Sequence, residues 1–134
     1  MLDEIGVNAT NDLGETPLIV AAYLNRINVL KKIIGGVDNV DYKVAGTFTE
    51  SALLEACAHR RLDSIKLLVD AGARLEQVDR FGLTPLAKIF TNIFSDPLPC
   101  ATYLISKGAK ITAKVMELGM SWNQEKMSRY LTKK

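Results

Sequence analysis

The sequence predicts a mainly α-helical solenoid of three helix-turn-helix repeats, with irregular segments at both ends. Two observations predict it. First, Thr16-Pro17-Leu18 returns as Ser51-Ala52-Leu53, 35 residues later, and as Thr84-Pro85-Leu86, 33 residues later again. A recurrence of that size marks stacked units, each able to bury its apolar face only against the next. Second, apolar residues follow each tripeptide at helical spacing, break at turn residues, then resume as a second helical run.

In the first repeat, Asn11-Asp12-Leu13-Gly14-Glu15 forms a tight turn, for which Gly14 supplies positive φ. Thr16 is the expected N-cap and Pro17 the first helical residue, where a missing N–H costs nothing. Ala21-Ala22 lets a neighbouring helix approach. The second helix carries Ile27, Leu30, Ile33 and Ile34 and ends at Gly35-Gly36. In the second repeat, Ser51 opens a helix through His59, Arg60-Arg61 turns the chain, and Leu62 to Asp70 forms the partner helix before Ala71-Gly72-Ala73. Ile65, Leu68 and Val69 form its apolar stripe, broadened by Leu62 and Leu67. In the third, the helix from Thr84 is expected to run through Ile89, Phe90 and Ile93. Ser95-Asp96-Pro97-Leu98-Pro99 then reads as a lengthened turn, with helix resuming at Cys100 and ending at Lys107-Gly108-Ala109.

These residues resemble the ankyrin-repeat family. The likeness rests on Gly14-Glu15-Thr16-Pro17-Leu18 and Gly82-Leu83-Thr84-Pro85-Leu86, on Ala21-Ala22, and on Gly72-Ala73 and Gly108-Ala109. It covers roughly residues 5–112, by analogy with the repeat length. It divides a single domain, 1–134, into an N-terminal cap or partial repeat at 1–10, repeats at 11–43, 44–78 and 79–114, and a C-terminal cap helix at 115–134. There are departures. The histidine that often follows Thr-Pro-Leu is replaced by Ile19, Leu54 and Ala87, which implies a less rigid turn. Thr49 replaces the second hairpin's glycine, and two extra residues around Val44-Ala45-Gly46-Thr47 imply a longer, less regular finger. Val37 stands where a helix-ending glycine would align.

At the N-terminus, Val7-Asn8 fits the close of a preceding repeat. Either Leu2 and Ile5 cap the stack, or the chain is a piece of a larger array. At the other end, Thr112 to Leu118 is expected to form a short helical turn closed by Gly119. Ser121-Trp122-Asn123-Gln124 resembles a capping box opening a helix to about Leu131. Met127, Tyr130 and Leu131 share one face of that helix, with Lys126, Arg129 and Lys133 off it. The segment reads as a polar-faced cap, or alternatively as a docking helix.

The charge is uneven. Net charge is +2, but residues 1–50 carry −3, residues 51–106 are neutral and residues 107–134 carry +5. The basic end reads as a solvated tail or as a surface steering toward an acidic partner or membrane. No apolar run reaches the roughly 18 residues a membrane span needs. Met1-Leu2-Asp3-Glu4 lacks an export pattern, so a cytoplasmic location is expected, or a host-cell interior if the source is a pathogen.

Nothing points to catalysis. There is no glycine-rich phosphate loop, nucleophile elbow or zinc-protease motif. Cys57 and Cys100 read as buried reduced thiols. The single histidine, His59, lies two residues from Cys57, which points the pair to different faces of one helix. No metal, cofactor or catalytic residue is expected.

One pattern does stand out. Leu13, Phe48 and Phe81 occupy corresponding fingertip positions, where the family tends to be polar. Each either packs on the adjacent finger or contributes to a partner-facing apolar stripe. The resemblance implies that fingers and inner helices make a groove. In this chain that groove comprises Asp12, Leu13, Glu15 and Tyr23; Thr47, Phe48, Glu50, Ala58 and His59; and Arg80, Phe81, Leu83, Thr91 and Asn92. The expected role is non-catalytic binding of another protein by a monomer, with no nucleic acid. The alternatives are a stoichiometric inhibitor or immunity-type protein, and an anionic-surface binder acting through the basic C-terminal segment.

Overall fold

A computed structural model describes residues 9–43, 46–91 and 95–132, with side chains described as far as residue 123. Seven helices are present among them: α1 (Pro17–Tyr23), α2 (Ile27–Ile34), α3 (Ala52–Ala58), α4 (Leu62–Asp70), α5 (Pro85–Ile89), α6 (Leu98–Ser106) and α7 (Ala113–Thr132). There is no strand among the described residues.

The helices pair and the pairs stack. An inner row runs α1, α3, α5, and an outer row runs α2, α4, α6, each helix touching its successor in the row; α7 packs against α5. The inner helices start alike because their first turns are capped alike. Thr16, Ser51 and Thr84 are all extended, and each side-chain oxygen accepts the N–H three residues on, at 3.2, 3.5 and 3.3 Å. Those N–H groups belong to Ile19, Leu54 and Ala87, whose side chains are buried.

Small residues set the spacing between layers. Ala21, Ala22, Ala52, Ala56, Ala87 and Ala101 are buried among Leu18, Leu30, Leu53, Ile65, Leu68, Leu86 and Leu104. Polar links repeat along the stack. Arg61 donates to the Tyr23 carbonyl (2.8 Å) and Ser64 bonds to the Asn25 side chain (2.9 Å). Asp41 accepts from the Arg74 and Gln77 side chains, and Glu76 accepts the Lys110 N–H one layer later.

Four expectations need correction. Helix α6 begins at Leu98, not Cys100, and Pro99 lies inside its first turn. The first turn has no intrahelical acceptor for its N–H groups, so proline fits there. Helix α5 ends at Ile89, with Phe90 as C-cap. Gly119 does not close a helix: the helical span continues past it, and the break falls at Asn123 (φ −160°, ψ 96°). Ser121 is therefore not the cap of a new helix but part of the run before that break. The expectations for Leu2, Ile5, Val7-Asn8, Val44-Ala45, Asn92 and Ile93 lie outside the described residues. So do those for the side chains of Lys126, Met127, Arg129, Tyr130, Leu131 and Lys133.

Candidate functional site

Hairpins one and three are built on the same local chemistry. Asn11 Oδ1 accepts the N–H groups of Leu13 and Glu15, both at 3.0 Å; Asp79 Oδ1 accepts those of Phe81 (2.8 Å) and Leu83 (2.9 Å). The backbone closes identically, from Gly14 N–H to the Asn11 carbonyl and from Gly82 N–H to the Asp79 carbonyl, at 3.0 Å each. Such turns are favoured by Asn and Asp because the short side chain reaches the amide two residues on. Both glycines sit at φ near +80°. The residue before each is thereby turned outward: Leu13 is 68% exposed and Phe81 71%.

The second hairpin is made differently. The position corresponding to Asn11 and Asp79 is Gly46, which has no side chain to close the turn. Neighbouring fingers hold it instead. The Thr49 hydroxyl donates to the Leu13 carbonyl at 2.7 Å, and Arg80 Nη1 donates to the Phe48 carbonyl at 2.9 Å. Thr47 presses on Gly14 so closely that a Cβ there would stand 2.6 Å from its methyl carbon. Phe48 ends up 83% exposed. The Arg80 guanidinium lies 4.7 Å from the Phe48 ring centroid and 4.7 Å from that of Phe81. The two phenyl groups are thus joined through a shared cation, and neither is buried in an adjacent finger.

The acidic residues beneath this cluster are paired. Glu50 is buried, bonded to Lys43 Nζ at 2.8 Å, and accepts the Arg80 N–H at 3.1 Å. Asp79 is buried with Lys88 Nζ 3.0 Å from Oδ2. Burial would raise the Asp79 carboxyl's pKa, but the N–H groups of Leu83 and Phe81 and the Lys88 ammonium outweigh it and hold the group below its ordinary range.

A second cluster lies at the ends of the inner helices. The rings of Tyr23 and His59 stack at 5.3 Å and 27°. His59 caps α3 and its Nδ1 lies 2.9 Å from the Glu55 carbonyl oxygen. Tyr23 titrates above its ordinary value, chiefly because its hydroxyl bonds to the Glu15 carboxylate, with burial second. Thr91 is exposed and bonds back to the Lys88 carbonyl. Asp12 and Arg80 are exposed, while Glu15, Thr47, Ala58 and Leu83 are half-buried. Asn92 lies outside the described residues. The keystone residues Asn11 and Asp79 were not singled out from sequence, although Asx-x-x-Gly is legible in both hairpins.

The remaining reactive groups are enclosed. Cys57 is fully buried and its thiol is pushed well above its ordinary pKa, first by desolvation; Cys100 is buried and shifted the same way. A protonated, enclosed thiol is a poor nucleophile. His59 is exposed while Cys57 is not, so the two do not form a pair. Among the described residues no group of three or more His, Cys, Asp or Glu side chains is placed to hold a metal, and no helix is long and apolar enough to cross a membrane. An apolar depression of about 590 Å³, bordered by Pro17, Val20, Leu24 and Val29, is lined only by residues before the second repeat.

No protein-family model matches the chain. Over 104 residues the chain is 32% identical to the human SH3 and multiple ankyrin repeat domains protein 2. That stretch is 77% of this chain but only 5% of the relative's length. The comparison supports the resemblance to ankyrin-repeat proteins drawn from the tripeptide and its flanking residues.

Proposed function

We propose, from the premise that this chain resembles ankyrin-repeat proteins over most of its length, that it is a non-catalytic module that binds another protein. The three stacked helical pairs are taken as ankyrin repeats forming a short monomeric solenoid. The binding surface comprises the hairpin tips and the exposed ends of the inner helices. One observation carries the reading: Leu13, Phe48 and Phe81 each hold a large apolar side chain in solvent at corresponding positions of three consecutive fingers. Scattered exposed apolar residues are ordinary, but a row fixed by turn geometry costs solubility and supplies the aromatic anchors that dominate interface energies. The enclosed thiols fit recognition better than turnover.

A pull-down from source cells with the wild-type chain and with Phe48→Ala and Phe81→Ala tests this. Both variants are expected to keep their far-UV circular dichroism, since the side chains are exposed. Each is expected to lose partner affinity by about 2 kcal/mol, as hot-spot truncations do. Capture unchanged by both substitutions contradicts the proposed surface.

A further inference from the structure

We infer that the Phe48–Arg80–Phe81 cluster reads an acidic side chain, and that the partner is a protein segment with an Asp or Glu flanked by large apolar residues. The inference rests on the protein-binding reading above and adds the chemistry of the partner.

Three observations support it. The Arg80 guanidinium is held before any partner arrives: one ring centroid lies 4.7 Å away on Phe48, another 4.7 Å away on Phe81, and Nη1 bonds to the Phe48 carbonyl at 2.9 Å. A planar fork fixed in this way loses little further freedom on forming paired N–H···O bonds. The charge is also uncommitted. Among the described residues no carboxylate forms an ion pair with Arg80, because Glu50 is paired with Lys43 and Asp79 with Lys88. Glu50 meets Arg80 only through the backbone N–H. Finally, the guanidinium is bordered by two mostly exposed phenyl faces. The complement of that surface is a carboxylate, which pairs with guanidinium in a bidentate way, set between apolar side chains that cover the rings.

Stacked aromatics beside an arginine also suit single-stranded nucleic acid. That occupant needs several cations along a phosphate track. Here the nearby cations Lys43 and Lys88 are ion-paired with Glu50 and Asp79 and so offer no phosphate track, and the first finger carries Asp12, exposed, and Glu15, half-buried. The local charge therefore favours an acidic side chain over a polyanion.

The test is selection of a displayed library of random 12-residue peptides on the full chain, followed by solution titration of the selected sequences. Asp or Glu beside Leu, Ile, Phe or Trp is expected to be enriched. Arg80→Glu is expected to weaken those peptides at least tenfold, and Arg80→Lys to weaken them less. Arg80→Met, which keeps the stem on the rings, separates charge from packing, and thermal melts of all three variants check folding. A Lys31→Ala variant, changed on α2, is expected to bind as wild type does. Peptides that lack acidic enrichment, or bind Arg80→Glu as tightly, overturn the carboxylate reading; if they still lose affinity on Phe81→Ala, the protein-binding surface survives. Failure to select any peptide sensitive to Phe48→Ala or Phe81→Ala overturns both. Saturable binding of a 12-mer oligo(dT) or oligo(U), lost in Arg80→Glu, overturns the inference in favour of nucleic acid.

Discussion

At the scale of single residues, the side chain that closes the third hairpin also sets the exposure of its tip. Asp79 closes the third hairpin through two N–H groups and anchors Lys88, and this arrangement aims Phe81 outward. Its carboxylate form is the one the fold stabilises. The folded pKa therefore lies below the unfolded value of about 3.9. The stabilisation is complete above the unfolded pKa and is lost as pH falls through the folded one. Asp79→Asn keeps an acceptor but loses the charge. At pH 7 the variant is expected to be less stable by about 1.5–3 kcal/mol in urea unfolding, the range for hydrogen bonds to charged groups. The gap should narrow steadily as pH drops below about 4; a gap constant with pH contradicts the assignment.

At the scale of elements, the inner helices are short because each is set by one cap and one layer of small residues. The three hydroxyl caps were legible in the sequence, since Ser or Thr followed by Pro or Ala opens helices for a known reason. Ser51→Ala and Thr84→Ala are each expected to cost about 1 kcal/mol by thermal or urea unfolding. The Ser51 change should cost more, because its hydroxyl also bonds the buried Gln77 side chain. Other features were not legible. Pro99 looked like a helix breaker, and only its place within the first turn of α6 shows why it is tolerated. Gly119 looked like a stop, but a glycine inside a helix costs only about 1 kcal/mol, and tertiary contacts override that. The lateral support of the second finger was equally hidden, because Thr49 and Arg80 reach residues 36 and 32 positions away.

At the scale of the whole molecule, the order of the layers was written in the recurrence of the tripeptide, and so was the correspondence of the three fingertip positions; that all three are exposed came from the structure. Each layer supplies one large apolar tip, and the interlayer bonds from Arg61 to Tyr23, from Arg74 to Asp41 and from the Lys110 N–H to Glu76 hold successive tips in fixed relation. What sequence could not give was the meeting of Phe48, Arg80 and Phe81. It depends on the rotation between the second and third layers, which no local pattern encodes. Formal charge changes along the sequence in the same order, from −3 over residues 1–50 to +5 over residues 107–134.

The most direct measurement is amide hydrogen exchange on the full chain, alone and saturated with a partner captured by wild type but not by Phe81→Ala. Added protection is expected at 11–15, 46–50 and 79–83 and at the ends of α1 and α3 near Tyr23 and His59. Protection confined to the outer helices α2, α4 and α6, with the three hairpins unchanged, would contradict the account.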